Sequence, residues 1–216
     1  MRGLFNYNGY IFSTLSKIGD LVILNLVTLV FCIPIVTIGP TLTAAHYAAL
    51  KIKRNENYVL NNFWKSFKEN FKQSTLIGLI LLSASIIPIG IVIATVGIND
   101  FLVSLIRGIM VVVSIFSLFV SIWIYPLQSK FSNTITMTLK YSVAICFKYL
   151  FRTIFMAIIY LLSFLTPLIQ EKLLCYAIIF GLSLPIYLSA VMYDKLFEQI
   201  ENSILEREGI ITNVEE

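Results

Sequence analysis

Few side chains in this sequence could do acid–base, nucleophilic or metal chemistry, and they lie far apart. His46 is the single histidine, and no carboxylate lies near it in sequence to orient it for proton transfer. A packed or interfacial histidine is the simpler interpretation, and a proton shuttle is the alternative. The cysteines Cys32, Cys146 and Cys175 are widely spaced in apolar or interfacial stretches, which is typical of small buried side chains rather than of a disulfide framework or zinc site.

Three common catalytic motifs are also absent from the sequence. It contains no glycine-rich phosphate loop, no His-Glu-x-x-His helix and no Gly-x-Ser-x-Gly turn. We therefore expect a protein that is not an enzyme and has no cofactor or metal ion. Asn25 is a strongly polar side chain well inside an apolar stretch, where an amide can hydrogen-bond to a neighbouring helix. Asn25 and His46 are the two candidate intramembrane polar residues.

The elements that carry these residues are long and apolar. Of 216 residues, 58% are hydrophobic and 13% charged, and the mean hydropathy is +0.86. A soluble fold of this size could not bury so much apolar surface, so the lipid bilayer must be the solvent. A helix needs about 20 apolar residues to cross it. Five stretches meet this condition: Leu21–Ile38, Ser74–Val96, Gly108–Tyr125, Thr153–Ile169 and Leu173–Tyr193.

The predicted fold class is therefore all-α, a polytopic helical membrane bundle with about five transmembrane helices and interfacial amphipathic helices. We expect one integral membrane domain over residues 1–216. Its predicted parts are an N-terminal interfacial segment (1–20), the first span and a break (21–60), a helix plus hairpin (61–125), a second helix plus hairpin (135–193) and an acidic cytoplasmic tail (194–216).

The basic residues are distributed unevenly between the predicted connections. Twelve of the Lys and Arg residues fall on one side of the five predicted spans and four on the other. Because basic residues are retained in the cytoplasm, this predicts an external N-terminus and a cytoplasmic C-terminus.

Residues 61–73 have the pattern of an amphipathic helix. Phe63, Trp64, Phe67 and Phe71 cluster on one face, and Lys68 and Lys72 lie on the opposite face. This pattern favours a helix lying flat at the membrane interface, with its rings among acyl chains and its ammonium groups near anionic headgroups. The alternative is a helix that packs by the same aromatic face on the protein's own surface.

A similar pattern returns eighty residues later. Phe67–Lys72 aligns with Phe147–Arg152, so that Phe147, Lys148, Phe151 and Arg152 join the candidate residues for interfacial or partner contact. A parallel repeat of two hairpins would explain the match, and chance matching in a chain rich in Leu and Phe is the alternative.

The C-terminal segment from Asp194 to Glu216 is acidic, with seven acidic and two basic residues. Leu196, Phe197, Ile200 and Ile204 recur on one helical face. We expect this helix to dock on the protein's own basic segments, and a partner protein is the alternative.

The first third of the chain resembles a known family. The resemblance rests on the order of Phe5–Gly9, Leu24-Asn25, Pro34–Gly39, Thr43-Ala44 and Phe63–Gln73. In these elements the sequence is similar to the YesL-like family of bacterial integral membrane proteins, a domain of unknown function.

The resemblance implies a multi-pass protein of the bacterial cell membrane whose genes accompany those of carbohydrate uptake, often sugar ABC transporters. It supplies no catalytic residue. Two functions follow as hypotheses: an accessory or scaffold component associated with carbohydrate uptake or utilisation, or a small-molecule permease in its own right. The expected partners are the lipid bilayer and sugar ABC transporter components, without nucleic acid, and the oligomeric state is left open.

Overall fold

The computed structural model describes residues 4–56, 58–169 and 174–207. These residues form eight α-helices, a short 3-10 turn and no strand. The helices are α1 (Leu4–Phe31), α2 (Ile38–Lys53), α3 (Val59–Ala94), α4 (Phe101–Lys130), α5 (Ile135–Lys148), α6 (Leu150–Ile169), α7 (Leu174–Phe180) and α8 (Ser183–Arg207). The predicted all-helical membrane bundle is confirmed.

Four of the described helices are long and apolar enough to cross a membrane: α1 from Thr14 onward, α3, α4 and α6. They contain most of the first four predicted spans. The first predicted span, Leu21–Ile38, ends earlier than predicted, because α1 stops at Phe31. Pro34 follows three residues later, and a proline disfavours a helical conformation in the residue before it. The fifth predicted span, Leu173–Tyr193, differs more. A turn at Gly181 divides its described part into α7 and the start of α8.

Helix α3 is one continuous helix of 36 residues, about 54 Å long. The amphipathic segment 61–73 is its first part rather than a separate helix, because no Gly or Pro occurs between Val59 and Ile77 to interrupt it. The part without charges, from Gln73 to Ala94, is about 33 Å long and matches the hydrocarbon thickness of a bilayer.

The centre of the bundle is filled by α2, which packs against α3, α8, α4 and α1. Ala44, Ala45, Ala48 and Ala49 have no exposed surface. These small side chains allow neighbouring helices to approach closely, as is common between membrane helices. With 16 residues, about 24 Å, α2 is short for a span.

The two halves of the proposed repeat have different local structures. Tyr149 separates α5 from α6 inside the segment Phe147–Arg152, whereas α3 continues through Phe67–Lys72. Thr153 holds this break. Its hydroxyl donates to the carbonyl oxygen of Tyr149 (3.1 Å) and accepts from the indole of Trp123 (2.8 Å). The position that aligns with Thr153 is Gln73, which instead donates to the carbonyl of Asn133 across the bundle.

The acidic segment continues α8 and docks on the protein itself. Leu196 and Phe197 are buried in the main core, and Ile200 packs against it. Arg54 lies 2.7 Å from Asp194 and 3.2 Å from Glu198, Lys53 also pairs with Asp194, and Lys130 lies 2.8 Å from Glu201. The predicted docking is therefore present up to Glu201, with the ends of α2 and α4 as its basic partners. The side chain of Ile204 and residues 208–216 lie outside the described part.

Asp194 should be the most important acidic residue of this docked segment. Its side chain is 4% exposed. Burial alone would raise the pKa of Asp194, but hydrogen bonds from Lys53 and Arg54 outweigh it and hold the pKa below its usual value. The pairs therefore stabilise the fold above the unfolded-state pKa of about 3.9, and this stabilisation is lost as the pH falls.

We expect Asp194→Asn to lower the free energy of unfolding by roughly 2 kcal/mol near pH 7, because it leaves two cations without their buried partner. The difference from wild type should be smaller at pH 3, which lies below the unfolded-state pKa of about 3.9, because part of this stabilisation is already lost there. The matched control is Glu56→Gln, which removes the more exposed pair with Lys51 and should cost under about 0.5 kcal/mol. Unfolding in detergent at both pH values measures this; equal losses for both variants would contradict it.

Candidate functional site

The aromatic face of 61–73 is divided between the core and the surface. Phe63 and Phe67 are buried, and the ring of Phe31 on α1 lies 5.7 Å and 5.2 Å from theirs. Trp64 and Phe71 remain exposed, at 44% and 36%. Packing on the protein's own surface, the alternative interpretation of this segment, therefore describes Phe63 and Phe67. The exposed pair remains available to lipid or a partner.

The exposed side of this segment, which we call the α3 lysine face, consists of Leu60, Trp64, Lys65, Lys68, Phe71 and Lys72. The ammonium group of Lys68 lies 4.8 Å from the centre of the Trp64 ring. Within the described chain none of the three lysines forms an ion pair with a carboxylate. A recess lined by Phe67, Lys68, Glu69, Phe71 and Lys72 lies here; since all five belong to one helix, it is an open surface groove.

The second basic segment is more exposed. The side chains of Phe147 and Phe151 are 63% and 90% exposed. Lys148 and Arg152 both lie over the ring of Tyr149, at 5.5 Å and 5.4 Å from its centre. Phe147, Lys148, Phe151 and Arg152 therefore form a continuous aromatic and basic surface at the α5–α6 break, which we call the α5–α6 patch.

The two basic segments lie at different levels along the α3–α4 hairpin. Phe147 contacts Phe116, near the middle of the charge-free part of α4, with ring centres 6.0 Å apart. The neighbouring Ser117 is hydrogen-bonded to Ser85 of α3 at 2.6 Å. Ser85 lies 17 residues beyond Lys68, a distance of about 26 Å along the helix. A parallel repeat would place the two segments at one level, and this arrangement is not reproduced.

Asn25 holds the break between α7 and α8. The side chain is fully buried, and its amide group donates to the carbonyl oxygens of Ala177 (3.2 Å) and Ile178 (2.7 Å). Its oxygen accepts from the backbone N–H groups of Leu182 (2.8 Å) and Ser183 (2.9 Å). One side chain thus satisfies the carbonyl end of one helix and the amide end of the next. Asn25 therefore joins α1 to both helices at this break.

His46 lies on α2 in a buried polar cluster. Its Nδ1 is 3.2 Å from the hydroxyl of Tyr193 and its Nε2 is 3.4 Å from that of Tyr160, which is also 3.0 Å from Ser189 Oγ. A neutral imidazole can donate to one tyrosine and accept from the other. The cluster links α2, α6 and α8, so the packed histidine is the interpretation that this geometry favours.

A second polar connection was not predicted from the sequence. The side-chain amide of Gln128 donates to Asn70 Oδ1 at 3.4 Å, and its oxygen accepts from the hydroxyl of Thr138 at 3.3 Å. This connection joins α3, α4 and α5. It was missed because the predicted span ended at Tyr125, whereas α4 continues to Lys130 and buries Gln128.

Among the described residues, no three His, Cys, Asp or Glu side chains lie close enough together to share a metal ion. Cys32, Cys146 and Cys175 are free thiols.

A comparison with protein-family models finds a match over the segment that contains several of these residues. Residues 21–88 match the model of a family described as "Protein of unknown function, DUF624". The matched part starts in α1, includes all of α2 and ends at Pro88 in α3, so it contains Asn25, His46 and the α3 lysine face. No curated protein and no solved structure matches the chain. The chain is thus a helical membrane protein, and its residues 21–88 are similar to a family of unknown function.

Proposed function

We propose that this protein is an accessory or scaffold component of the bacterial cell membrane that acts beside a carbohydrate uptake system. The observation that carries the proposal is the packing of α2, whose fully buried alanines fill the centre of the bundle where a carrier would need a path. The link to carbohydrate and to sugar ABC transporter components comes from the resemblance to the YesL-like family.

We infer that the N-terminus is external and the C-terminus cytoplasmic, with α7 and the start of α8 together forming a fifth crossing beside the four long apolar helices. The distribution of basic residues supports this orientation. Single cysteines in a cysteine-free background test it: Asn99→Cys should react with an impermeant reagent from outside, and Asn213→Cys only after the membrane is opened. The reverse labelling pattern would overturn the orientation.

The α5–α6 patch is the surface that we assign to the partner. Phe151 is 90% exposed, and large exposed aromatic rings beside basic groups are frequent at protein interfaces. The patch is about 26 Å along the hairpin from Lys68 on the α3 lysine face, so each surface can be changed without the other.

Affinity purification from native membranes in mild detergent tests the proposal. Sugar ABC transporter subunits should copurify with wild type and be lost with Phe147→Ser/Phe151→Ser. The matched control is Phe155→Ser/Phe164→Ser, which changes two exposed phenylalanines of α6 outside the patch and should retain the subunits. Absence of transporter subunits from the wild-type sample would overturn the proposal, and equal retention by both variants would overturn the assignment of the patch.

A small-molecule permease is the second candidate, and one observation favours it. A cavity of about 220 Å³ lies between α6, α7 and α8, lined by Ser163, Thr166, Tyr176 and apolar side chains. Ser163 donates to the carbonyl of Gly181 at 2.7 Å, so the cavity adjoins a broken helix, as substrate sites of transporters often do. Sugar uptake into vesicles of purified protein, reduced by Ser163→Ala and unaffected by Ser83→Ala, would favour this candidate.

A further inference from the structure

The exposed side of α3 is continuous from its basic part into its apolar span. Leu60, Trp64 and Phe71 lie within about 40° of one another on the helical wheel, and the exposed Ile86, Ile89 and Ile93 lie within about 80° of Leu60. These six side chains therefore point to the same side of one continuous helix. The medium that covers the apolar span is lipid, so the same leaflet continues over the start of the α3 lysine face.

The positive charges of the α3 lysine face lie where the headgroups of that leaflet would be. On the helical wheel the three lysines lie at about 80° (Lys68), 120° (Lys72) and 140° (Lys65) from Leu60. Their ammonium groups therefore lie along one edge of the row of exposed apolar side chains. None of them is paired within the described chain, whereas Lys51, Lys53, Arg54 and Lys130 all have carboxylate partners. Lysines beside a lipid-facing aromatic stripe attract anionic headgroups, by about 1 kcal/mol each near the surface.

We propose that the α3 lysine face binds anionic phospholipid, with Lys65, Lys68 and Lys72 at the phosphate groups and the rings of Trp64 and Phe71 at the level of the upper acyl chains. This goes beyond the proposed accessory role and does not depend on it. The ligand is a phosphodiester lipid with two acyl chains and a headgroup of net negative charge, so the net charge gives selectivity and the exposed apolar side chains give attachment.

The chain provides its own reporter for this site. It has two tryptophans: Trp64 lies on the face, and Trp123 is fully buried. Purified protein is placed in mixed vesicles of phosphatidylcholine and phosphatidylglycerol, in which either lipid carries bromine at equal total amount. The emission of Trp64→Phe, subtracted from that of wild type, isolates Trp64. We expect brominated phosphatidylglycerol to quench Trp64 at least about threefold more efficiently than brominated phosphatidylcholine.

The decisive variant is Lys65→Gln/Lys68→Gln/Lys72→Gln, in which this preference should disappear while quenching by both lipids remains. The matched control is Lys140→Gln/Lys148→Gln/Arg152→Gln, which removes three positive charges elsewhere and should keep the preference. The emission of the buried Trp123 reports correct folding of each variant. If the triple variant does not fold, Lys68→Gln alone is tested instead, and it should reduce the preference for phosphatidylglycerol partly.

Three results would overturn the proposal. An unchanged preference in the lysine variants would show that these residues do not select the lipid. Loss of the wild-type preference in excess inorganic phosphate, but not in sodium chloride of equal ionic strength, would assign the face to a soluble phosphate. Absence of quenching by either brominated lipid would show that lipid does not reach Trp64 and that protein or water covers the face.

Discussion

Gly39→Ala should prevent α2 from packing normally against α3 and lower the free energy of unfolding by about 3 kcal/mol or more. A Cβ atom at this position would overlap the carbonyl oxygen of Ser74 and come within 3.2 Å of Gly78 Cα. Both neighbours belong to the backbone of a long helix, so neither can move aside cheaply, and overpacking at a rigid contact is costly. Intrinsic helix propensity favours alanine over glycine by about 1 kcal/mol. The predicted loss of stability is therefore due to packing alone.

The control lies on the same hairpin. A Cβ at Gly90 of α3 meets nothing within 4 Å, so Gly90→Ala should be neutral or slightly stabilising. Gly78→Ala should resemble Gly39→Ala, since its Cβ would lie 2.9 Å from Gly39 Cα. Unfolding in detergent and the yield of monodisperse protein measure all three. Equal stability of the Gly39 and Gly90 variants would show that the close α2–α3 contact does not exist in the membrane protein.

Asn25→Leu should have the second large effect, a loss of about 3–5 kcal/mol. The substitution keeps the number and branching of the side-chain heavy atoms but removes the polar partner of the Ile178 carbonyl and of the N–H groups of Leu182 and Ser183. The Ala177 carbonyl still accepts from the N–H group of Gly181. Each buried unpaired group costs roughly 1–3 kcal/mol, and only some can find new partners. We also expect the amides near the break, from Ala177 to Ile186, to exchange with solvent faster than in wild type.

Two further variants separate this effect from the mere loss of an amide. Asn25→Asp keeps the acceptor for Leu182 and Ser183 but loses the donor to Ala177 and Ile178, so it should also be destabilised. Asn61→Leu changes an exposed asparagine of α3 and should be nearly neutral. Faster exchange spread evenly over the whole chain, instead of concentrated at the break, would contradict the role of Asn25.

The sequence by itself determined the solvent and the helical class of this protein. Hydropathy is a local property, so the runs around Ser74–Val96, Gly108–Tyr125 and Thr153–Ile169 indicated membrane helices that the structure shows within α3, α4 and α6. It also predicted the docking of Leu196 and Phe197, because helical periodicity marks an apolar face wherever the chain is helical. Asn25 was found for a similar reason, since an amide in an apolar run needs a partner.

Only the tertiary structure decided which residues are buried and which remain exposed. The central position of α2 depends on glycine and alanine fitting against neighbouring backbones, and small residues leave no amphipathic pattern. The break at Gly181 is fixed by Asn25, more than 150 residues away in sequence. Phe67 is buried and Phe151 exposed, although their local sequences align, because Phe31 packs on the first segment and Tyr149 breaks the helix in the second. Such contacts join distant parts of the chain, and local sequence patterns carry no record of them.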